Sequence, residues 1–267
     1  MDPSVGCPTR RDPLYLMLRF LKRLLPLSSR PERAPAEGLE ALGRWATGKG
    51  LTLRVLASAE GGIIEGRTGP APWRLEWGPP QRRYIEGFEV RWRAELDGTG
   101  DLQALVLNRL LQERMEREVF EQYVDGVQTQ LEDDTPPEMR WLVLFPKLGA
   151  AAMGARRESH AATANLKAWL LSWLNGPLTA ALASTDLPAT QPLVLTLGRG
   201  RLTLRTAMPQ PDDAQLDMLH RLFETALREA RRVAADAVAA QMASTQPSLW
   251  SASGPPHPEP PSGSERR

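Results

Sequence analysis

The sequence predicts an α+β fold in which an antiparallel sheet packs against long helices. Short segments that alternate apolar and polar residues predict the strands, and two long segments with apolar residues three and four apart predict the helices. Several strands follow one another directly along the chain, as in α+β proteins and unlike doubly wound sheets. A third observation is that residues 89–111 and 201–223 resemble each other, which suggests two related strand–helix units.

The two similar segments align without a gap, and each reads as an alternating strand, an acidic turn and the beginning of a long helix. A repeated unit would decide the architecture. Pseudo-duplication of a strand–helix unit and chance similarity both explain the match, and the sequence leaves both open. The identical pairs are Arg93 with Arg205, Asp101 with Asp213, Gln103 with Gln215, Leu107 with Leu219, Arg109 with Arg221 and Leu110 with Leu222.

The first half of the chain carries one predicted helix, Glu37–Thr47, and then a series of strands. Gly- and Pro-rich turns separate the strands. Apolar residues such as Trp92 occupy one face of each strand and charged residues the other, which is typical of an antiparallel sheet that is hydrated on one side. The predicted strands are Leu51–Ala57, Ile63–Arg67, Trp73–Trp77 and Phe88–Leu96, and the charged face contains Arg74, Glu76, Glu89, Arg91, Arg93 and Glu95.

The second half is predicted to contain more helix. Asp101 and either Asp212 or Asp213 precede the two long helices and are expected to cap them. The apolar run Trp141–Phe145 predicts a central strand, and Gly149 and Gly154 lie in a predicted loop, Leu148–Arg157. The remaining elements are long helices at Asp101–Leu131 and Asp212–Ala243, a helix at Asn165–Thr185 broken near Gly176, and a hairpin of Leu193–Leu197 and Arg201–Ala207 closed by Gly198-Arg199-Gly200.

Composition and patterning divide the 267-residue chain into six parts. Hydrophobic content of 42% and charged content of 24% are those of a globular protein, and a formal net charge of +1 exerts no global pull on nucleic acid. The single cysteine, Cys7, excludes an internal disulfide framework. The parts are a disordered leader (1–12), a basic amphipathic helix (13–27), a linker (28–35), a first α+β lobe (36–135), a second α+β lobe (136–243) and a disordered Pro/Ser-rich tail (244–267).

The basic amphipathic segment, residues 13–27, is the main candidate for a binding site. It is shorter than the roughly 20 apolar residues that a membrane span needs. In a helix, Arg19, Lys22 and Arg23 share one narrow face, because residues three and four apart are neighbours. Three interpretations remain open: the segment lies on a membrane surface, fills a partner's groove, or packs on its own domain. The candidate membrane- or partner-binding residues are Leu14, Met17, Leu18, Arg19, Leu21, Lys22, Arg23, Leu24 and Leu25.

Other motifs give no catalytic, cofactor or metal residue. The glycine pair Gly149 and Gly154 has the spacing of a phosphate-binding loop, but Ala155 and Arg156 replace its Lys and Ser/Thr. His160 has no identifiable second group for acid–base work. The acidic residues around the predicted break do not match a calcium loop; they are Glu132, Asp133, Asp134 and Glu138.

The arginines of the strands form a second charged feature. We expect them to share the hydrated face of the sheet with acidic residues, and this charge balance argues against nucleic-acid binding. The tryptophans alternate onto the apolar face and are expected in the core or in an interface. The arginines are Arg91, Arg93, Arg199, Arg201 and Arg205, with Arg82 and Arg83 in a turn.

Together these features predict a non-enzymatic interaction or adaptor protein, bacterial and cytoplasmic, peripheral at the inner face of the membrane. We expect a protein partner and no cofactor. The alternative is a small-molecule-binding or enzymatic domain with a pocket between the two lobes. Its lining would come from Trp73, Trp77, Trp169 or Trp173.

Overall fold

The computed structural model describes residues 35–58, 60–124 and 135–245. Helices and strands alternate in blocks along this part of the chain, and a short 3₁₀ helix at Gly154–Glu158 precedes the strand at His160–Ala164. The elements are α1 Ala36–Gly48, β1 Leu53–Val55, β2 Gly62–Thr68, β3 Ala71–Gly78, β4 Glu89–Glu95, β5 Ala104–Asn108, α2 Arg109–Val124, α3 Pro137–Leu144, α4 Ala150–Met153, β6 His160–Ala164, α5 Lys167–Leu174, α6 Pro177–Ala183, β7 Leu193–Gly198, β8 Arg201–Ala207 and α7 Asp213–Thr245.

The strands form one antiparallel sheet in the order β1-β2-β3-β4-β8-β7-β5-β6. This confirms the predicted α+β class. Strand β5, from the first half of the chain, lies between β7 and β6 from the second half. The boundary predicted between residues 36–135 and 136–243 therefore does not separate two sheets.

One face of the sheet packs against α1, α5, α6 and α7 and forms the main hydrophobic core. The alternation of side chains places Trp92 and Leu204 in this core, where they are cross-strand partners and fully buried, as predicted. Two other indoles bond to backbone carbonyls of distant segments: Trp77 Nε1 of β3 donates to the Met208 carbonyl after β8 at 2.8 Å, and Trp173 Nε1 of α5 donates to the Ala226 carbonyl of α7 at 2.9 Å. Paired indole N–H groups make these large buried side chains inexpensive to desolvate.

The opposite face of the sheet has two different halves. Helices α2 and α3 cover β5, β6 and β7, and we call this the covered half. Strands β2, β3, β4 and β8 present charged side chains, and we call this the open half; their exposure reaches 42% at Arg74 and 51% at Arg201. The covered half buries Leu105, Leu107, Leu111, Met115, Val119, Met139, Leu142, Ala161 and Val194, with Tyr84 and Ile85 from the loop after β3.

The first long helix begins later than predicted. Residues 104–108 form strand β5, and α2 begins at Arg109, so Asp101 does not cap a helix. The apolar run around Leu105 fits either structure by pattern, and pairing with β6 and β7 decides for a strand. At the second long helix, α7, the predicted cap by Asp212 is confirmed, because the backbone N–H of Gln215 donates to the Asp212 carboxylate at 2.8 Å.

The predicted central strand at Trp141–Phe145 is wrong, since these residues belong to α3 and its end. Pro136 and Pro137 begin this helix, and proline at the first helical position is favourable because its missing N–H has no intrahelical partner there. The predicted loop Leu148–Arg157 contains α4 and the 3₁₀ helix, and the Ala-rich strand β6 was not predicted.

The predictions for residues 1–34, 125–134 and 246–267 lie outside the described residues. Within the described part, no helix combines the length and apolar character that crossing a bilayer requires.

Candidate functional site

A chain of alternating arginine and glutamate side chains crosses the open half from β3 to α3. We call it the ion chain; its members, in spatial order, are Arg74, Glu76, Arg91, Glu89, Arg205, Glu138 and Arg82. The closest nitrogen–oxygen distances between successive members are 3.1, 2.9, 3.1, 2.6, 3.9 and 3.1 Å.

The centre of the ion chain is buried. Glu89 is 0% exposed, and Arg91 and Arg205 are each 6% exposed. Arg91 lies directly opposite Arg205 in the β4–β8 register, where two like charges repel. The Glu89 carboxylate lies between them and accepts from Arg205 with one oxygen and from Arg91 with the other. The backbone N–H of Gln81 donates to it as well, at 2.6 Å. Glu89 therefore compensates two buried cations.

One end of the ion chain, formed by Glu138 and Arg82, fixes helix α3 to the sheet; we call it the inner end, and the opposite end, at Arg74 and Glu76, the outer end. Arg82 Nε donates to both oxygens of Glu138 at 3.1 Å. Burial lowers the pKa of Arg82, but the adjacent Glu138 carboxylate raises it, and the net change is upward. Glu138, one of the acidic residues that do not match a calcium loop, is thus buried and ion-paired.

Tyr84 lies beside this inner end. Burial raises the pKa of its hydroxyl well above the ordinary value, and the charge of Glu138 adds to the increase. The hydroxyl has no hydrogen-bond partner among the described residues.

The outer end of the ion chain has fewer carboxylates than guanidinium groups. Glu76 contacts Arg91 at 2.9 Å, Arg74 at 3.1 Å and Arg93 at 3.8 Å. Burial raises the pKa of Glu76. The hydrogen bond from Arg91 and the charges of all three arginines together lower it by more, so the pKa of Glu76 is below its ordinary value. The pKa of Arg93 is lowered by burial and by neighbouring guanidinium groups, despite Glu76.

A shallow groove of about 630 Å³ runs over this outer end. At its rim, Arg201 pairs with Glu95 at 2.8 Å, and Glu65 lies 3.9 Å from Arg54. The residues that line the groove are Glu65, Gly66, Arg67, Pro72, Trp73, Arg74, Glu76, Arg93, Ala94, Glu95 and Arg201.

The predicted set of arginines is brought together in part. Arg91, Arg93, Arg201 and Arg205 do share one face of the sheet, and Glu76, Glu89 and Glu95 form ion pairs with arginines of this face, as predicted. Arg91 and Arg205 are buried and not hydrated, which corrects the expectation. Arg199 lies in the hairpin turn with a φ of 54°.

Sequence reasoning missed Gln81 and the pairing of Arg82 with Glu138. Pro136-Pro137-Glu138 is a usable signal for a helix start, but nothing in it specifies a distant arginine.

The two histidines of the described residues lie in different surroundings. His160 Nδ1 is 2.9 Å from the Ser159 hydroxyl, and burial and Arg156 lower its pKa. His220 is placed between the rings of Trp45 and Trp73, with centroid distances of 5.6 and 5.0 Å. Burial lowers the pKa of His220 although Glu224 opposes this.

The other residues that the sequence singled out take part in ion pairs or in packing. Lys147, at the start of the glycine-containing segment, pairs with Glu116 at 2.7 Å. Trp73, Trp77 and Trp173 are buried in the main core, and Trp169 packs against Trp173, so these tryptophans contribute to packing. Among the described residues, no three His, Cys, Asp or Glu side chains are placed to hold a metal ion.

Comparison with known proteins finds a distant structural similarity and no similarity of sequence. No known protein family and no curated protein matches the chain. A similar solved structure is the crystal structure of the mycobacterial trehalose monomycolate transport factor A, TtfA. The identity is 7%, the TM-score is 0.44, and the match covers 74% of this chain and 96% of TtfA. We draw no conclusion about function from a likeness of this size.

Proposed function

We propose that this chain is a non-enzymatic interaction protein that binds a protein partner on the open half of its sheet. The observation that carries the proposal is the set of paired guanidinium groups at the groove, where Arg74, Arg93 and Arg201 line the surface and each contacts a glutamate. Arginine normally loses side-chain freedom when it binds, and a guanidinium that is already held by neighbours loses less. The open half is therefore pre-organised for contact with an acidic surface.

Photo-crosslinking tests this proposal directly. A crosslinking amino acid at Arg201, 51% exposed at the rim of the groove, is expected to capture one discrete protein in cells. The matched control is the same group at Arg228, which is exposed on α7, the helix on the other side of the sheet. Charge reversal at Arg74 should abolish the capture. Equal capture from both positions, or capture that survives reversal, would contradict the proposal.

We further propose that residues 13–27 provide a second contact, with a membrane surface or with a groove on a partner. The support is the basic face of Arg19, Lys22 and Arg23 opposite a broad apolar arc. A basic face attracts anionic lipid, which would place the protein at the inner face of a bacterial cytoplasmic membrane.

Flotation with vesicles separates these interpretations. The full-length chain is compared with a chain that starts at Ala36, using vesicles with and without anionic lipid. Loss of flotation on truncation supports the membrane surface. Loss of a co-purifying protein without any flotation supports a partner groove. Identical behaviour of both chains would remove the proposed role of residues 13–27.

A further inference from the structure

The strongest unassigned feature is the surplus of positive charge at the outer end of the ion chain. Its three carboxylates, of Glu76, Glu89 and Glu138, face five guanidinium groups when Arg93 is included with the four arginines of the chain. Five minus three leaves two positive charges. Arg82 binds Glu138 through both oxygens, so the inner end is compensated. The surplus therefore lies at Arg74 and Arg93.

The backbone places these two arginines together. Arg74 and Arg93 are direct partners in the β3–β4 register, an arrangement that repulsion disfavours. They share Glu76 with Arg91. Glu65, the partner of Arg74 in the β2–β3 register, lies 3.9 Å from Arg54, and Glu95 pairs with Arg201. An anion between the two guanidinium groups would relieve this repulsion.

The groove is large enough for such an anion. Its volume of about 630 Å³ lies within the range of small-ligand sites, about 300 to 1,000 Å³. Arg67 also lines it and donates to the Pro70 carbonyl at 2.7 Å, which fixes the side chain at the groove wall. Arg93 is held by the Gln81 side-chain oxygen at 2.8 Å.

We propose that the groove binds a phosphate monoester, bridged between Arg74 and Arg93 with Arg67 as a third contact. A phosphate monoester carries about −1.5 to −2 charges at neutral pH, which matches the surplus, and its oxygens accept paired N–H donors from arginine. The inference rests on the proposed function where the phosphate is carried by the protein partner. A free phosphorylated small molecule offers the same chemistry.

The test is titration of the full-length chain at constant ionic strength with two probes, inorganic phosphate and a neutral peptide that contains one phosphoserine. Binding of both identifies a site for the phosphate group itself, and binding of the peptide alone identifies a phosphorylated protein. In either case, Arg74→Gln together with Arg93→Gln should weaken binding at least tenfold. Arg228→Gln, which removes an exposed arginine on the helix across the sheet, should leave it unchanged.

Two further variants keep the inference falsifiable if Arg93→Gln does not fold. Arg67→Gln alters an exposed side chain and Arg74→Gln a half-buried one, and each should weaken binding several-fold. No binding of either probe overturns the inference, as does equal binding of the phosphorylated and unphosphorylated peptides. Equal weakening by Arg228→Gln also overturns it, because it shows general charge attraction.

The outcomes for this inference and for the proposed function are distinguishable. Partner capture at Arg201 without phosphate binding preserves the interaction surface and removes the phosphate site. Phosphate binding without any captured partner preserves the site as one for a free small molecule.

Discussion

The covered and open halves belong to the same face of one sheet, yet they are stabilised in different ways. In the covered half the outward side chains are apolar, such as Leu107 and Val194, and two helices bury them. In the open half the corresponding positions carry charged residues, and both Arg74 and Arg93 pair with Glu76. The alternation of side chains along each strand alone decides which residues face away from the main core. Whether they are apolar or charged then decides whether a helix can cover them.

Helix α3 marks the boundary because it takes part in both halves. Met139 and Leu142 pack into the cluster of the covered half, whereas Glu138 enters the ion chain. Buried charges at this boundary are tolerated because each has partners of opposite sign.

Removal of the central carboxylate should give the largest effect. Glu89→Ala leaves Arg91 and Arg205 buried without their shared partner, and breaking a buried pair costs about 3–5 kcal/mol. Urea unfolding followed by circular dichroism measures the loss. Glu95→Ala, in the exposed pair with Arg201, is the control and should cost about 0–1 kcal/mol. Similar costs for the two variants would mean that the ion chain does not stabilise the boundary.

Truncation in the covered half should cost nearly as much. Leu107 is fully buried, and Leu107→Ala should destabilise the protein by about 2–5 kcal/mol through lost burial and the remaining cavity. Arg74→Gln in the open half should change the free energy of unfolding by no more than about 0.5 kcal/mol. The same unfolding assay compares them. A large cost for Arg74→Gln would show that the exposed end of the open half contributes as much to stability as the covered half.

Loosening the contact of α3 with the sheet should give an intermediate effect. A Cβ at Gly198 would lie 2.6 Å from Cη2 of Trp141, so Gly198→Ala must displace the indole. Overpacking of this kind costs about 1–3 kcal/mol, and hydrogen exchange in α3 should become faster. Gly149→Ala is the matched control, because nothing lies within 4 Å of its added Cβ. Unchanged exchange in the Gly198 variant would argue against this contact.

Acidification should give the smallest effect. The pKa values of His160 and His220 are lowered in the folded state from 6.5, so below this value the unfolded chain binds more protons. Stability should therefore fall as the pH decreases from 7.5 to 5.5, and denaturant midpoints measured across this range test it. His220→Phe keeps an aromatic ring between Trp45 and Trp73 and should flatten the dependence. A midpoint that is constant or rises on acidification would contradict the expected sign.

Much of the sheet could be predicted because its strands alternate clearly. The β7–β8 hairpin is an example, since Gly200 supplies the positive φ that its turn requires. Residues 104–108 were assigned to a helix and form strand β5, because a five-residue apolar run fits a strand or a helix. Trp141–Phe145 was assigned wrongly for the same reason, although Pro137 favoured a helix.

The candidate site, like the fold, could be predicted only in part. The arginines and glutamates of β3, β4 and β8 could be placed on one face from their spacing. Their burial could not be predicted, because Gln81 and Glu138 reach them from a loop and from α3. Pairing between side chains so distant in sequence depends on how the elements pack.

The sequence by itself determined the fold class and which side chains point away from the main core, since both follow from the two-residue period of a strand. Only the tertiary structure decided that β5 lies between β7 and β6, that helices cover one half of the outer face, and that Glu89 compensates two buried arginines. These outcomes depend on contacts between segments far apart in the chain, and no local periodicity encodes such contacts.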